Sequence, residues 1–235
     1  MKKAIMFDLD NTIYSFDNAE IEALKKVHKL FNKYQKISYI KFNELFKIVR
    51  TEIKREMSGS ASAHSRMLYF QRLVEKTHAN INLKLILKLR EFYWKEFLKN
   101  IKINKETKQT LENLKKQEIK IAIVSNAPTQ IQLEKLIKMK IDHLIDAIIT
   151  SQEAGNEKPN ATMFLLALNK LECTSKEVIM VGDNPILDVA AANVLNIDTI
   201  LITEHKNNEN HIIDTEKPNY VIKSFKELDE IINKK

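Results

Sequence analysis

The chain has 235 residues, 44% of them hydrophobic, with a formal net charge of +7 and a single cysteine, Cys173. That size suits one sizeable core, or a core with a smaller second domain; one cysteine excludes an internal disulfide framework, and no apolar run is long enough to span a bilayer. The lysines are spread among glutamates along nearly every helical stretch, without a basic run or an aromatic platform, so the charge describes a solvated surface and no nucleic-acid partner is expected.

The first predicted element is an apolar strand over residues 3–8, too short before Asp8 for a signal peptide's apolar region. With Cys173 reduced, the expected compartment is the cytoplasm. The strand runs into Phe7-Asp8-Leu9-Asp10-Asn11-Thr12-Ile13-Tyr14. Two carboxylates one residue apart at the end of a buried strand repel each other and lose solvation, so a cation, a proton or water must compensate.

Residues 18–99 are wholly helical in pattern, with segments near 18–35, 39–57, 64–78 and 82–99. Apolar residues recur at three-and-four spacing, as in Leu24-Val27-Leu30-Phe31 and Ile86-Leu89-Tyr93-Phe97. Trp94 and Phe97 read as packing residues. Ser58-Gly59-Ser60-Ala61-Ser62-Ala63 is the small-residue break, followed by His64 and Arg66.

From residue 103 the pattern alternates. A helix near 104–117 precedes a strand at 119–124, a helix at 129–139 precedes 144–150, and a helix at 160–170 precedes 178–181. A helix at 185–194 then precedes 199–202, and a weak strand at 220–222 leads into a terminal helix. Thr129-x-x-Gln132 reads as a capping box, and Asn184-Pro185 as an N-cap with proline at the first helical position. Such alternation predicts an α/β fold, a Rossmann-like parallel sheet with helices on both faces. Because the first strand belongs to this sheet, the helical stretch is an insertion. The expected domains are 1–14 with 102–235, and 15–101.

Ligand sites in open parallel sheets lie beyond the carboxyl ends of the strands. Those ends carry Asp8-Leu9-Asp10-Asn11-Thr12, then Ser125-Asn126, then the loop to Lys158-Pro159, then Gly182-Asp183-Asn184-Pro185 with Asp188. These segments, in this order and spacing, resemble the four motifs of the haloacid dehalogenase superfamily, and the helical insertion resembles that family's helical cap. The resemblance covers residues 1–14 and 102–205.

The resemblance implies a Mg²⁺-dependent phosphohydrolase acting on a small phosphorylated metabolite through an aspartyl-phosphate. Asp8 takes the nucleophile's place. Asp10 stands where it can protonate the leaving oxygen and then activate water. Asp8, Asp183 and the backbone carbonyl of Asp10 are the expected metal ligands, with Asp188 supporting the metal through water or serving the helix dipole. Ser125 and Lys158 are expected against the phosphoryl group. Thr12 and Asn126 are expected to assist substrate binding, Thr12 through the backbone or the Asp8 carboxylate. His64 and Arg66, in a cap loop, are expected to read the distal half of the substrate. Asp10 argues against a dehalogenase or a phosphonate hydrolase, neither of which protonates a leaving oxygen this way. A phosphomutase, or a binding module that lost catalysis, are the alternatives. Cys173 reads as inert, and His28, His78, His143, His205 and His211 show no metal-ligand spacing. The oligomeric state is not legible.

Overall fold

The computed structural model describes residues 2–77, 81–204 and 214–233. His78, His205 and His211 lie outside the described residues. The chain divides into two compact units, Met1–Ser15 with Lys102–Lys235, and Phe16–Ile101. Among the described residues no helix is long and apolar enough to cross a membrane.

The first unit is built on strands β1 (Ala4–Phe7), β2 (Lys120–Ser125), β3 (Ala147–Thr150), β4 (Val178–Gly182), β5 (Asp198–Ile202) and β6 (Tyr220–Ile222). They form one six-stranded sheet in the order β3-β2-β1-β4-β5-β6, with every neighbouring pair parallel. Among the described residues the α-helices are α1 (Phe16–Phe31), α2 (Tyr39–Glu56), α3 (Arg66–Thr77), α4 (Leu83–Asn100), α5 (Lys105–Lys116), α6 (Thr129–Met139), α7 (Ser151–Ala154), α8 (Ala161–Leu171), α9 (Ala191–Val194) and α10 (Phe225–Asn233).

The central strands are apolar without interruption because both their faces are covered. Ala4 and Met6, Ala122 and Val124, and Val178 and Met180 join one buried cluster with Met163, Phe164, Ala167 and Leu171 of α8 and Ala191 and Ala192 of α9. The alternate residue Phe7 stacks on Phe225 of α10 with ring centroids 5.9 Å apart. Period-two alternation thus sends successive side chains to opposite helical layers.

Strand β1 lies between β2 and β4, so the chain leaves it in one direction and later crosses to its other side. That reversal creates the crevice where ligands bind in such sheets. Phe7 pairs with Ile123 on one side and Val181 on the other. Continuing that register brings Asp8, Ser125 and Asp183 within one residue of a common level at one sheet edge.

In the second unit α1 packs on α4, α4 on α3 and α3 on α2. A run of rings threads these helices: Phe31, Phe42, Phe46, Phe70, Tyr93, Phe97 and Phe16, with successive centroids 5.0 to 6.3 Å apart. Trp94 joins it edge-on to Tyr93 and Phe97.

Three boundaries differ from the periodicity. Helix α1 ends at Phe31 rather than near 35, because Tyr34 N and Gln35 N both return to the Phe31 carbonyl and Asn32 Oδ1 accepts from Ile37 N at 2.9 Å. Strand β3 begins at Ala147 rather than 144. Residues Asp142–Leu144 form a 3-10 turn, and the Asp146 carboxylate takes the Ile121 N–H at 2.7 Å. The stretch 185–194 opens as a wide π-helical turn, Pro185–Ala190, before α9.

Candidate functional site at the sheet edge

Beyond β1 the backbone continues one step along its neighbour, with Asp8 N donating to Val181 O at 3.0 Å. It then turns tightly. Leu9 O accepts from Ile13 N, and Asn11 adopts a left-handed conformation with φ of 66°. Asparagine tolerates that conformation better than most side-chain-bearing residues. The turn folds Tyr14 back, and its hydroxyl donates to Asp10 Oδ1.

Asp8, Asp183 and Asp188 come together here, with one oxygen from each within 4.8 Å of the others. Lys158 is 3% exposed and donates to both Asp8 Oδ1 and Asp188 Oδ1 at 2.7 Å. Thr12 is fully buried. Its hydroxyl lies 3.2 Å from Asp8 Oδ2 and 3.4 Å from Asp183 Oδ1, so it orients carboxylates in this structure instead of presenting itself to a substrate. Burial, with the neighbouring charges of Asp188 and Asp183, pushes the Asp8 carboxyl up to about 8 although Lys158 opposes the shift. Three carboxylates against one ammonium are under-compensated, and the donor set is all oxygen. Both properties fit a hard divalent cation held by Asp8, Asp183 and Asp188.

Local chemistry fixes each member. Asn184 accepts from the N–H groups of Ile186 and Leu187 at 3.0 Å, capping the turn that Pro185 opens. One turn on, Asp188 reaches back and accepts from Asn184 N at 3.0 Å. Gly182 makes room for it, since a Cβ at that position would overlap the Asp188 carboxyl group. We expect Gly182→Ala to displace Asp188 and cost on the order of 1–3 kcal/mol in urea unfolding; an unchanged midpoint would show that Asp188 moves aside freely. Asn126 grips the Lys158 backbone from both sides, donating to its carbonyl at 3.0 Å and accepting from its N–H at 2.8 Å. The expected substrate-binding asparagine is therefore a latch in this structure, with both polar atoms already engaged in holding the lysine loop.

Asp10 is held by helix α6. Lys135, almost wholly buried, donates to both Asp10 oxygens at 2.7 and 2.8 Å, and Gln132 Nε2 lies 3.5 Å from Oδ2. Burial alone would raise this carboxyl. The charge and hydrogen bonds of Lys135, with those of Tyr14 and Gln132, hold it below the ordinary aspartate value. Lys135 is absent from the sequence reading, which gives Gln132 only a capping role and Tyr14 none. The signal was present: on α6, Gln132 and Lys135 fall on the same buried stripe as Leu136 and Met139, and a lysine on a buried stripe demands a partner.

The capping box at Thr129 does not form. Pro128 occupies the N-cap position and has no side-chain acceptor. Instead Gln152 Oε1 accepts from Thr129 N at 2.8 Å, and the Thr129 hydroxyl pairs with that of Thr150 at 2.6 Å. Gln132 is thereby free to turn inward, donating to the buried Ser125 Oγ at 2.5 Å. Ser125 therefore stands at the predicted strand end with its hydroxyl already accepting one bond.

His64 and Arg66 belong to the helical unit. His64 ends the 3-10 turn Ala61–His64, and its carbonyl accepts from Arg66 Nη1 at 3.2 Å. Arg66 is not in a loop. It opens α3, is 5% exposed, and pairs with Glu20 at 2.7 Å. Glu20 also receives Arg50 at 2.8 Å and the Tyr93 hydroxyl at 3.0 Å. The rings of Phe16, Tyr69, Tyr93 and Trp94 surround the guanidinium, each centroid within 5.5 Å. The Arg66 expected to read the substrate thus has Nη1 and Nη2 engaged inside its own unit, by the His64 carbonyl and the Glu20 carboxylate, while its Nε is buried without a hydrogen-bond partner.

Residues 5–202 match the family model described as haloacid dehalogenase-like hydrolase. The chain is 36% identical over 205 residues to the ribulose-1,5-bisphosphate 5-phosphatase of Halopiger xanaduensis, covering 86% of this chain and 84% of that one. It is 29% identical to the glyceraldehyde 3-phosphate phosphatase of Methanocaldococcus jannaschii, over 99% and 97% of the two chains. The solved HAD phosphatase from Thermococcus onnurineus shares its fold with a TM-score of 0.76 at 23% identity, over 99% of this chain and 98% of that one.

Proposed function

The chain belongs to the haloacid dehalogenase-like hydrolases, and from that premise we propose that it is a Mg²⁺-dependent phosphatase that cleaves monoesters of small phosphorylated metabolites through a phosphorylated Asp8. The observation that carries this reading is the placement of Asp8 among Asp183, Asp188 and Lys158 at the sheet edge.

In the proposed reaction Asp10, kept ionised by Lys135 in the free protein, takes up a proton from solvent as substrate binds. An Asp8 carboxylate oxygen then bonds to phosphorus as the ester P–O bond breaks, and Asp10 gives that proton to the departing oxygen. Water then attacks the acyl-phosphate phosphorus. The bond to Asp8 breaks, phosphate leaves, and the proton from water returns to Asp10. Lys158 lies against the nucleophile, where its charge opposes the charge developing on the phosphoryl oxygens. The Ser125 hydroxyl is a second candidate contact for that group. Asp8, Asp183 and Asp188 would hold Mg²⁺, which when bound neutralises phosphoryl charge. The all-oxygen donor set favours Mg²⁺ over Zn²⁺.

The helical unit is proposed as the cap that selects the substrate. The names of the relatives support sugar and triose phosphates as the first class to test, with ribulose-1,5-bisphosphate and glyceraldehyde 3-phosphate at its head. Phosphate release from that panel, with Mg²⁺ and with chelator, tests the reading; transfer to a second hydroxyl instead of free phosphate would mark a mutase. Asp183→Asn is expected to raise the Mg²⁺ concentration for half-maximal rate roughly tenfold or more. An unchanged Mg²⁺ titration would remove Asp183 from the ligand set.

A further inference from the structure

We propose that Lys135 is the positioning residue for Asp10, fixing the rotamer from which that carboxyl reaches the leaving oxygen. The inference rests on the acid role proposed above for Asp10. It adds a requirement that neither the motifs nor the relatives' names assign: a lysine on α6, outside every motif segment.

The geometry singles out this pair. Lys135 Nζ donates to both Asp10 oxygens, at 2.7 and 2.8 Å, so it constrains the plane of the carboxylate as well as its position. The Tyr14 hydroxyl adds a third bond, to Oδ1, and the ammonium lies 5.9 Å from the Tyr14 ring centroid. Asp10 is thus gripped from α6 and from its own turn. Lys135 is 1% exposed at its side chain, whereas that of Asp10 is 26% exposed. The clamp is therefore inside, and the clamped group is the one that meets solvent or substrate. Gln132, one turn earlier on the same stripe, bonds Ser125 and lies near Asp10. One face of α6 therefore sets the side chains of the first two motifs together.

A rotamer held only by Tyr14 and the long 3.5 Å contact from Gln132 would leave Asp10 room to swing, because an aspartate at a turn has several staggered positions available. Catalytic groups lose efficiency steeply when misplaced by about an ångström. The deficit should then appear where proton donation matters and vanish where it does not. That pattern distinguishes positioning from a general loss of stability.

The experiment is a leaving-group series of phosphate monoesters, from p-nitrophenyl phosphate to alkyl phosphates, measured as kcat/KM with saturating Mg²⁺. This parameter reports the steps up to transfer of the phosphoryl group to Asp8, so water activation does not enter. Lys135→Met is expected to lose roughly tenfold to a hundredfold on alkyl esters and less than about threefold on the nitrophenyl ester, steepening the dependence on leaving-group pKa. Tyr14→Phe should steepen it in the same direction by less, and Lys135→Arg should recover part of the loss. Asp10→Asn sets the limit: in its background, Lys135→Met should add no further slope. A parallel drop across the series, or no change in any Lys135 variant, overturns the proposal while leaving the role of Asp10 standing. If Asp10→Asn itself leaves the slope unchanged, the acid assignment fails and this inference with it. Should Lys135→Met fail to fold, Lys135→Arg and Tyr14→Phe decide by the same slope.

Discussion

Asp8→Asn is expected to lower phosphate release on the order of 10⁴-fold or more, the scale seen when a nucleophile is removed from an otherwise intact site. An amide oxygen is a poor nucleophile and a weaker ligand for a hard cation. The same variant should fold, because Asp8 carries an electrostatic penalty in the metal-free protein. Burial and the charges of Asp188 and Asp183 raise its carboxyl to about 8. Between about pH 4 and pH 8 the folded state therefore holds a proton that the unfolded chain has released, and stability falls as pH rises through that window. With chelator present, wild type should lose Tm from pH 4 to pH 8, and Asp8→Asn should lose less. A variant that unfolds, or a wild-type Tm rising across that range, would contradict this picture of the carboxylate cluster.

The second large effect is on stability. Arg66→Ala is expected to destabilise the helical unit by roughly 3–5 kcal/mol, since it strips the nearer partner from a buried carboxylate. Glu20 is 7% exposed and would retain Arg50 and Tyr93, but the space among four rings would lose its guanidinium. Arg66→Lys should recover only part, because an ammonium cannot stack as a planar guanidinium does. Urea unfolding gives the figure. The alternative, that Arg66 reads substrate, makes the opposite prediction: an unchanged midpoint with a selective loss on the physiological metabolite.

The two cases show what a sequence makes legible. The sheet was readable because Ala4–Phe7 and Val178–Val181 are unbroken apolar runs at regular intervals among helices. The Asp183–Asp188 turn was readable because Asn184 and Pro185 are local signals, complete within six residues. The carboxylates could be named as a group because their motifs lie at strand ends that a parallel sheet must bring to one edge. The remaining features depend on distant partners. Lys135 meets Asp10 across 125 positions, and Arg66 meets Glu20 across 46. No local pattern states which carboxylate a buried cation will find. The helical segment near 64–78 already held Arg66, but the small-residue break before it reads as a surface turn, and its burial beside Tyr69, Phe70 and Leu73 of α3 was not legible. The Thr129 box failed for a related reason: its residue types were right, but Pro128 and Gln152 settle the helix start.

The most direct measurement of the central claim is inorganic phosphate released from a sugar phosphate by wild type and by Asp8→Asn, each with Mg²⁺ and with chelator. The account predicts one phosphate per ester cleaved by wild type with Mg²⁺, and background rates in the other three conditions. Phosphate release that survives both the chelator and the loss of the Asp8 carboxylate would contradict it.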